Sequence, residues 1–225
     1  MRKEKAKYNK AILPEHQGNP LIEALNPKAN QKTVMEAFSY YPELDEQIRQ
    51  HPDPLVREEY TVRLKNLRQP LPLYYKCFRA IEDAIKAGYS AKNPLSPTTA
   101  QFLHYPVDER PDIPPHTGYF EPKGDGITLI GESGVGKSSM LEQVLNYFLN
   151  VIEHDNYNGQ VMEHRHQIVW LKVDCPNNSS VRDLCEEILV SLDQAIGNEH
   201  TKPESTIGKL TRQIEQKIKA SFLGI

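Results

Sequence analysis

The stretch from Gly126 to Ile152 constrains this chain more than any other. Ile127-Thr-Leu-Ile130 is a short apolar, β-branched run that predicts a buried strand. It leads directly into Gly131-Glu-Ser-Gly-Val-Gly136-Lys137-Ser138. From Lys137 to about Ile152 the pattern predicts a helix, with Met140, Leu141, Val144, Leu145, Phe148, Leu149 and Ile152 on a broad apolar face. A strand, a glycine turn and a helix in that order form the context in which the spacing G-x-x-x-x-G-K-[ST] builds a phosphate loop. Glycines at 131, 134 and 136 let the backbone turn so that successive N–H groups face a phosphate at the positive end of the helix dipole. In that arrangement Lys137 offers an ammonium to the β- and γ-phosphates, and the Ser138 hydroxyl is the candidate ligand for Mg²⁺.

Beyond this segment the strand–helix alternation continues. Gln167-Ile-Val-Trp-Leu-Lys-Val-Asp174 predicts a second strand, and Pro176-Asn-Asn-Ser a turn out of it. Ser180-Val-Arg-Asp183 resembles a capping box opening a helix that carries Val181, Leu184, Cys185, Ile188, Leu189 and Leu192, with Gly197-Asn198 as its stop. A last helix from about Ser205 carries Ile207, Leu210, Ile214 and Ile218. The first half has a different texture, because 15 of the 17 prolines lie in residues 1–122. Proline removes a donor and pushes its predecessor toward extended backbone, so short helices joined by connectors are expected there. Asp53-Pro54 is a helix start, followed by a stripe of Val56, Tyr60, Leu64 and Leu67. Leu73 to Ala87 is a longer helix, with Gly88 placed to end it, and the seven prolines between Asn93 and Pro122 mark a linker.

Composition excludes several classes. The chain has 225 residues, 38% hydrophobic, enough for one medium or two small domains. With a mean hydropathy of −0.60 it has no apolar run near the roughly 20 residues of a membrane span. The basic N-terminus lacks the apolar core of a signal peptide, so a cytoplasmic protein with no membrane partner is expected. Three cysteines, Cys77, Cys175 and Cys185, show no Cys-x-x-Cys spacing and read as reduced core thiols. A net charge of −3 leaves only a local patch for nucleic acid, and the one candidate is Arg2, Lys3, Lys5, Lys7 and Lys10. His164-Arg-His166 lacks a matched carboxylate or cysteine and reads as loop rather than metal site. Trp170 reads as core.

Hydrolysis needs more than a cradle: a second strand ending in carboxylates, and an arginine for transition-state charge. The one strand of that style ends at Val173-Asp174. Lys172 interrupts it and Cys175 stands where a catalytic glutamate would follow, so Asp174 reads as a strand-end turn residue, with a nucleotide role as the alternative. No catalytic residue is therefore named.

Several segments resemble TnsC, the AAA+ ATP-dependent regulator that selects targets for a class of bacterial transposons, and more distantly its TniB relatives. They are Asn19-Pro-Leu-Ile-Glu-Ala-Leu25, Ile85-Lys-Ala-Gly-Tyr-Ser-Ala-Lys-Asn-Pro94, Leu129-Ile-Gly-Glu-Ser-Gly-Val-Gly-Lys-Ser138, and Ile168-Val-Trp-Leu-Lys-Val-Asp-Cys175 continuing into Leu192-Asp-Gln-Ala-Ile-Gly197. The resemblance implies ATP and Mg²⁺ held by Gly131, Glu132, Ser133, Gly134, Val135, Gly136, Lys137, Ser138 and Ser139. It also implies a homo-oligomer on double-stranded DNA, a transposase and a target-site recognition protein as partners, and ATP acting as a switch. Phe222-Leu-Gly-Ile225 looks like the start of the family's acidic strand, so the hydrolytic carboxylates, sensor, arginine finger and lid are expected to be missing.

The fold expected is α/β, an incomplete three-layer P-loop NTPase domain of AAA+ type. Residues 116–225 would be its N-terminal half, and residues 1–115 a mostly helical, proline-rich region for partner or DNA contacts. Two rival readings remain open: a non-enzymatic adaptor with a relic phosphate loop, and a small phosphoryl-transfer enzyme.

Overall fold

Aspartate and asparagine placed just before short helical stretches punctuate the first ninety residues, because their side-chain oxygens satisfy the first backbone donors of a helix. The computed structural model describes residues 2–43, 45–96, 99, 126–162, 166–178, 180–197 and 201–225. It opens with strand β1 (Lys3–Lys5), then helices α1 (Pro20–Glu23), α2 (Gln31–Phe38), α3 (Glu46–Arg49), α4 (Pro54–Thr61) and α5 (Pro72–Ser90). Asn19, Asn30, Asp45 and Asp53 each cap one of α1 to α4, accepting from Leu21, Thr33, Gln47 and Leu55 N–H. Helix α6 (Lys137–Tyr147) follows, then β2 (Val151–Glu153), β3 (Asn156–Tyr157), β4 (Gln160–Val161) and β5 (His166–Ile168). The last helices are α7 (Val181–Ile196) and α8 (Ile207–Ala220).

The chain forms two compact units, one of residues 1–27, 81–128 and 148–225, the other of residues 28–80 and 129–147. The larger holds a three-stranded sheet in the order β1-β2-β5. β1 runs parallel to β2, pairing Lys3 with Val151 and Lys5 with Glu153; β5 runs antiparallel, pairing Ile168 with Val151 and His166 with Glu153. Helices α7 and α8 lay their apolar stripes on it, and Val151, Ile168, Leu189, Leu192, Ala195, Leu210 and Ile214 form the core. Ser180 caps α7 by accepting from Asp183 N–H, and Gly197 ends it at φ 80°, its N–H donating to the Asp193 carbonyl. Behind α7, the buried Asp193 carboxylate accepts from Thr201 N–H, Thr201 Oγ1 and Lys217 Nζ, tying the α7–α8 connection to α8.

Helix α5 brings Tyr89 into this unit, fully buried. Its hydroxyl lies 3.0 Å from both the Ile168 and Phe222 carbonyls, and Asn19 Nδ2 donates to its own carbonyl at 2.9 Å. Burial pushes the Tyr89 hydroxyl pKa far above its ordinary value, so it stays a donor. Lys92 Nζ donates to the Leu223 carbonyl. Residues 221–225 are thereby held beside the β5 segment: Ile225 N–H donates to Val169, and Leu171 N–H donates to Ile225, the pattern of a parallel pair around Trp170.

The smaller unit is built on aromatic contacts. Phe38 of α2, Phe78 of α5 and Tyr147 of α6 meet with ring centroids 5.0 to 6.2 Å apart, all edge-on. An antiparallel bridge between Tyr40 and Arg68 closes the excursion that carries α3 and α4.

Five sequence expectations change. Ile127–Ile130 joins no ladder among the described residues, and Ile130 is 89% exposed. The helix expected through Ile152 ends at Tyr147, because Val151 and Ile152 are wholly buried as the middle strand of the sheet. Strand β5 itself ends at Ile168, and beyond it the strand expected over 167–174 is continued as far as Leu171 by backbone bonds to residues 224 and 225. Gly88 does not stop α5, which continues to Ser90; the Gly224 carbonyl sits 3.4 Å from where a side chain would begin at 88. The stripe expected on α4 buries none of its residues. Asn158-Gly159, both at positive φ, form the two-residue turn between β3 and β4, the residue pair that such a hairpin turn favours.

Two outcomes follow from this packing. At Gly224 an added methyl would sit 2.3 Å from the Val169 carbonyl, whereas at Gly208 it would meet open space. Gly224→Ala is expected to cost about 1–3 kcal/mol and Gly208→Ala to stabilise by up to about 1 kcal/mol, measured by urea denaturation. The second concerns His154, fully buried, which accepts from Tyr8 at Nδ1 and donates from Nε2 to Gln167 Oε1, since Gln167 Nε2 is committed to the Leu21 carbonyl. Burial lowers its pKa from the ordinary 6.5, so the unfolded chain binds the proton more readily. Stability is therefore full above pH 6.5 and declines as pH falls below it toward the depressed folded value. Urea midpoints from pH 8 to pH 5 should show this fall, and His154→Gln should flatten it, leaving the slope due to His16, also depressed by burial.

Candidate functional site

A loop that wraps an anion must turn its own N–H groups inward, which L-residues resist and glycine allows. Residues 131–136 form the turn between Ile130 and α6, and two of its glycines take that freedom. Gly134 and Gly136 lie at φ 83° and 82°, in the left-handed region. Gly131 does not, and a methyl there would stand 3.5 Å from Lys137 Cδ and Val135 Cγ2, ordinary contact. The turn thus depends on Gly134 and Gly136, and Gly131 has another role or none.

Helix α6 starts at once after the second of these glycines. The first intrahelical bond runs from Met140 N–H to the Gly136 carbonyl, so the N–H groups of Lys137, Ser138 and Ser139 have no partner within the helix. Met140, Val144 and Leu145 are buried and, with Tyr147 in the aromatic cluster, seat the helix firmly. Glu132, Ser133, Gly134, Val135, Ser138 and Ser139 are all exposed, and Lys137 is half-buried. Lys137 Nζ donates to the Gly131 carbonyl at 2.7 Å and the Glu132 carbonyl at 2.5 Å, which folds the ammonium back over its own loop. An ammonium has three protons, so one donor remains for an incoming anion. Positive charge, helix-start N–H groups and three serine hydroxyls converge on one exposed turn, a donor set that suits a polyphosphate.

Most of the other sequence candidates belong to the larger unit. Asp174 and Cys175 belong to the larger unit, both exposed. The exposure of Cys175 corrects its reading as a core thiol; Cys77 is buried and Cys185 half-buried, and all three are free. Trp170 is half-buried rather than core, its indole 3.4 Å from the Phe148 carbonyl. His166 pairs across the sheet with Glu153 at 3.6 Å, while His164 and Arg165 lie outside the described residues. Among the described residues no three His, Cys, Asp or Glu side chains are grouped to hold a metal. The basic N-terminus is an edge strand whose cations are engaged: Arg2 with Glu4, Lys3 with the Ile196 carbonyl and Glu153, and Lys5 with Asp155. A cleft of about 470 Å³ at the start of α7 went unnoticed in the sequence; Asp183, Glu186 and Glu187 line it, the wrong charge for phosphate. No helix among the described residues is long and apolar enough to cross a membrane.

A glycine turn opening a helix within a mixed helix–strand chain is the local architecture of P-loop nucleotide-binding proteins. Residues 123–225, a little under half of the chain, match the family model described as an AAA domain. The match supports an AAA-type P-loop NTPase domain over these residues, and with it nucleotide binding. No curated protein matched the chain.

Alanine at Gly134 or Gly136 forces a side chain into the left-handed region and is expected to cost about 1–2 kcal/mol each. Gly131→Ala should stay within about 0.5 kcal/mol of the parent. Chemical denaturation of the three variants in one buffer checks the contrast.

Proposed function

We propose that this chain is a nucleotide-binding part of a TnsC-like regulator of DNA transposition, in which ATP with Mg²⁺ occupies the turn from Gly131 to Ser139. The observation that supports the nucleotide reading is the convergence of Lys137, the open helix start and two left-handed glycines on one exposed loop. The resemblance of Asn19–Leu25, Ile85–Pro94 and Ile168–Cys175 to TnsC supports the transposition reading. In it, residues 131–139 take the phosphates, with Ser138 as the metal's hydroxyl ligand. Bound Mg²⁺ would neutralise phosphate charge. Residues 116–225 then form the N-terminal part of a three-layer AAA+ domain, and residues 1–115 make the partner contacts. Double-stranded DNA, a transposase, a target-site recognition protein and further copies of the chain are the partners this reading names. The chain's own contribution is a switch, since a γ-phosphate held by Lys137 biases the assembly rather than feeding a metabolic reaction. The reading names a cytoplasmic site of action.

The adaptor reading, in which the loop is a relic, draws on one observation: Ile127–Ile130 pairs with no strand among the described residues. A titration decides between them. A fluorescent ATP analogue with Mg²⁺ is expected to bind the chain, and Lys137→Ala to weaken it by about tenfold or more, the loss of one charge-assisted contact. Equal binding by Lys137→Ala, or none by the parent chain, moves the reading to the adaptor.

A further inference from the structure

Residues 43–69 are an excursion between α2 and α5 that the Tyr40–Arg68 bridge closes, and no described residue within it is buried. A folded segment that buries nothing has little to offset its ordering entropy, which directs attention to what it presents outward. Its C-terminal part is distinctive. From Tyr60 to Ile81 the chain has five Lys or Arg (63, 65, 68, 76 and 79) and no Asp or Glu, within a protein of net charge −3. Interleaved with the first three cations stand Val62, Leu64 and Leu67, each 44 to 50% exposed, and Leu71 and Leu73 follow at 59% and 54%. Among the described residues, neither Arg63 nor Arg68 meets a carboxylate: Arg63 stacks over Tyr60 with its carbon 4.9 Å from the ring centre, and Arg68 donates to the Lys65 and Leu67 carbonyls.

We propose that Val62–Leu73 is a docking strip for a protein segment that is both acidic and apolar, such as an amphipathic helix with a leucine face and glutamate flanks. The cations select the partner's charge and the five aliphatic side chains select its surface. A nucleic acid would satisfy the cations yet leave those aliphatic groups in water, so it accounts for half of the surface only. The strip deepens the partner-contact part of the proposed function and does not depend on nucleotide binding.

The probe is a fluorescein-labelled amphipathic peptide of leucine and glutamate, titrated into the full chain by anisotropy. Control probes are the same peptide with glutamate replaced by glutamine, one with leucine replaced by serine, and a duplex DNA. The acidic leucine peptide is expected to bind, and each control to bind about tenfold more weakly or worse. Leu64→Ser with Leu67→Ser, and separately Arg63→Glu with Lys65→Glu, are each expected to weaken the acidic peptide by about tenfold. All four positions are exposed, so folding is not at stake, and circular dichroism verifies this. The proposal falls if duplex DNA binds as well as the acidic peptide or displaces it at equal concentration, or if both double variants bind the peptide as the parent does. It falls equally if sedimentation shows a dimer that the leucine variants dissociate, because a second copy is then the occupant. The nucleotide titration on the parent chain, run in parallel, distinguishes failure of this strip from failure of the nucleotide reading.

Discussion

The hydroxyl of Tyr89 is the joint on which most of the larger unit depends. It is wholly buried, and within 3.0 Å it finds two backbone carbonyls from segments far apart in sequence, Ile168 and Phe222. Neither segment has a complete ladder there, so the tyrosine supplies a donor that a neighbouring strand would otherwise provide. The same residue's carbonyl receives Asn19, whose other amide atom caps α1. One residue thus links the N-terminal segment, the long helix, strand β5 and the last five residues. Gly224 is small because the Val169 carbonyl and the Tyr89 hydroxyl stand where a side chain would begin.

The phosphate-type loop rests on different physics. Its shape comes from two glycines at positive φ and from the first turn of a helix, all within seven residues. Such a turn needs no sheet to take form, only a helix held in place, and here the aromatic cluster of Phe38, Phe78 and Tyr147 holds it. The donor set is therefore present even though Ile127–Ile130 has no strand partner among the described residues. Lys137, bonded to the carbonyls of Gly131 and Glu132, closes the loop on itself and keeps its third proton for an incoming anion.

Legibility in the sequence followed the range of the forces involved. Caps at Asn19, Asp53 and Ser180, the stop at Gly197 and the glycine turn before Lys137 are all local, and their residue types declare them. The middle of the chain was harder. Val151 and Ile152 fit a helical stripe as well as a strand, and only pairing with β1 and β5 decided for the strand. The basic N-terminus read only as a candidate patch for nucleic acid, yet Tyr8 reaches His154 and Tyr157, and Lys3 and Lys5 find acids 150 residues away. Nothing in residues 1–10 announces those partners.

What the sequence by itself determined is the glycine-lysine-serine turn, the order of helices around it and the apolar stripes of α7 and α8. Each is set by backbone freedom, capping chemistry or a 3.6-residue period within one segment. Tertiary structure alone decided that the N-terminus becomes a strand, that Tyr89 joins three segments, that α4 and the residues after it bury nothing, and that Asp174 stays exposed. Those outcomes turn on which distant groups exclude water together, and that is a property of the assembled chain rather than of any stretch of it.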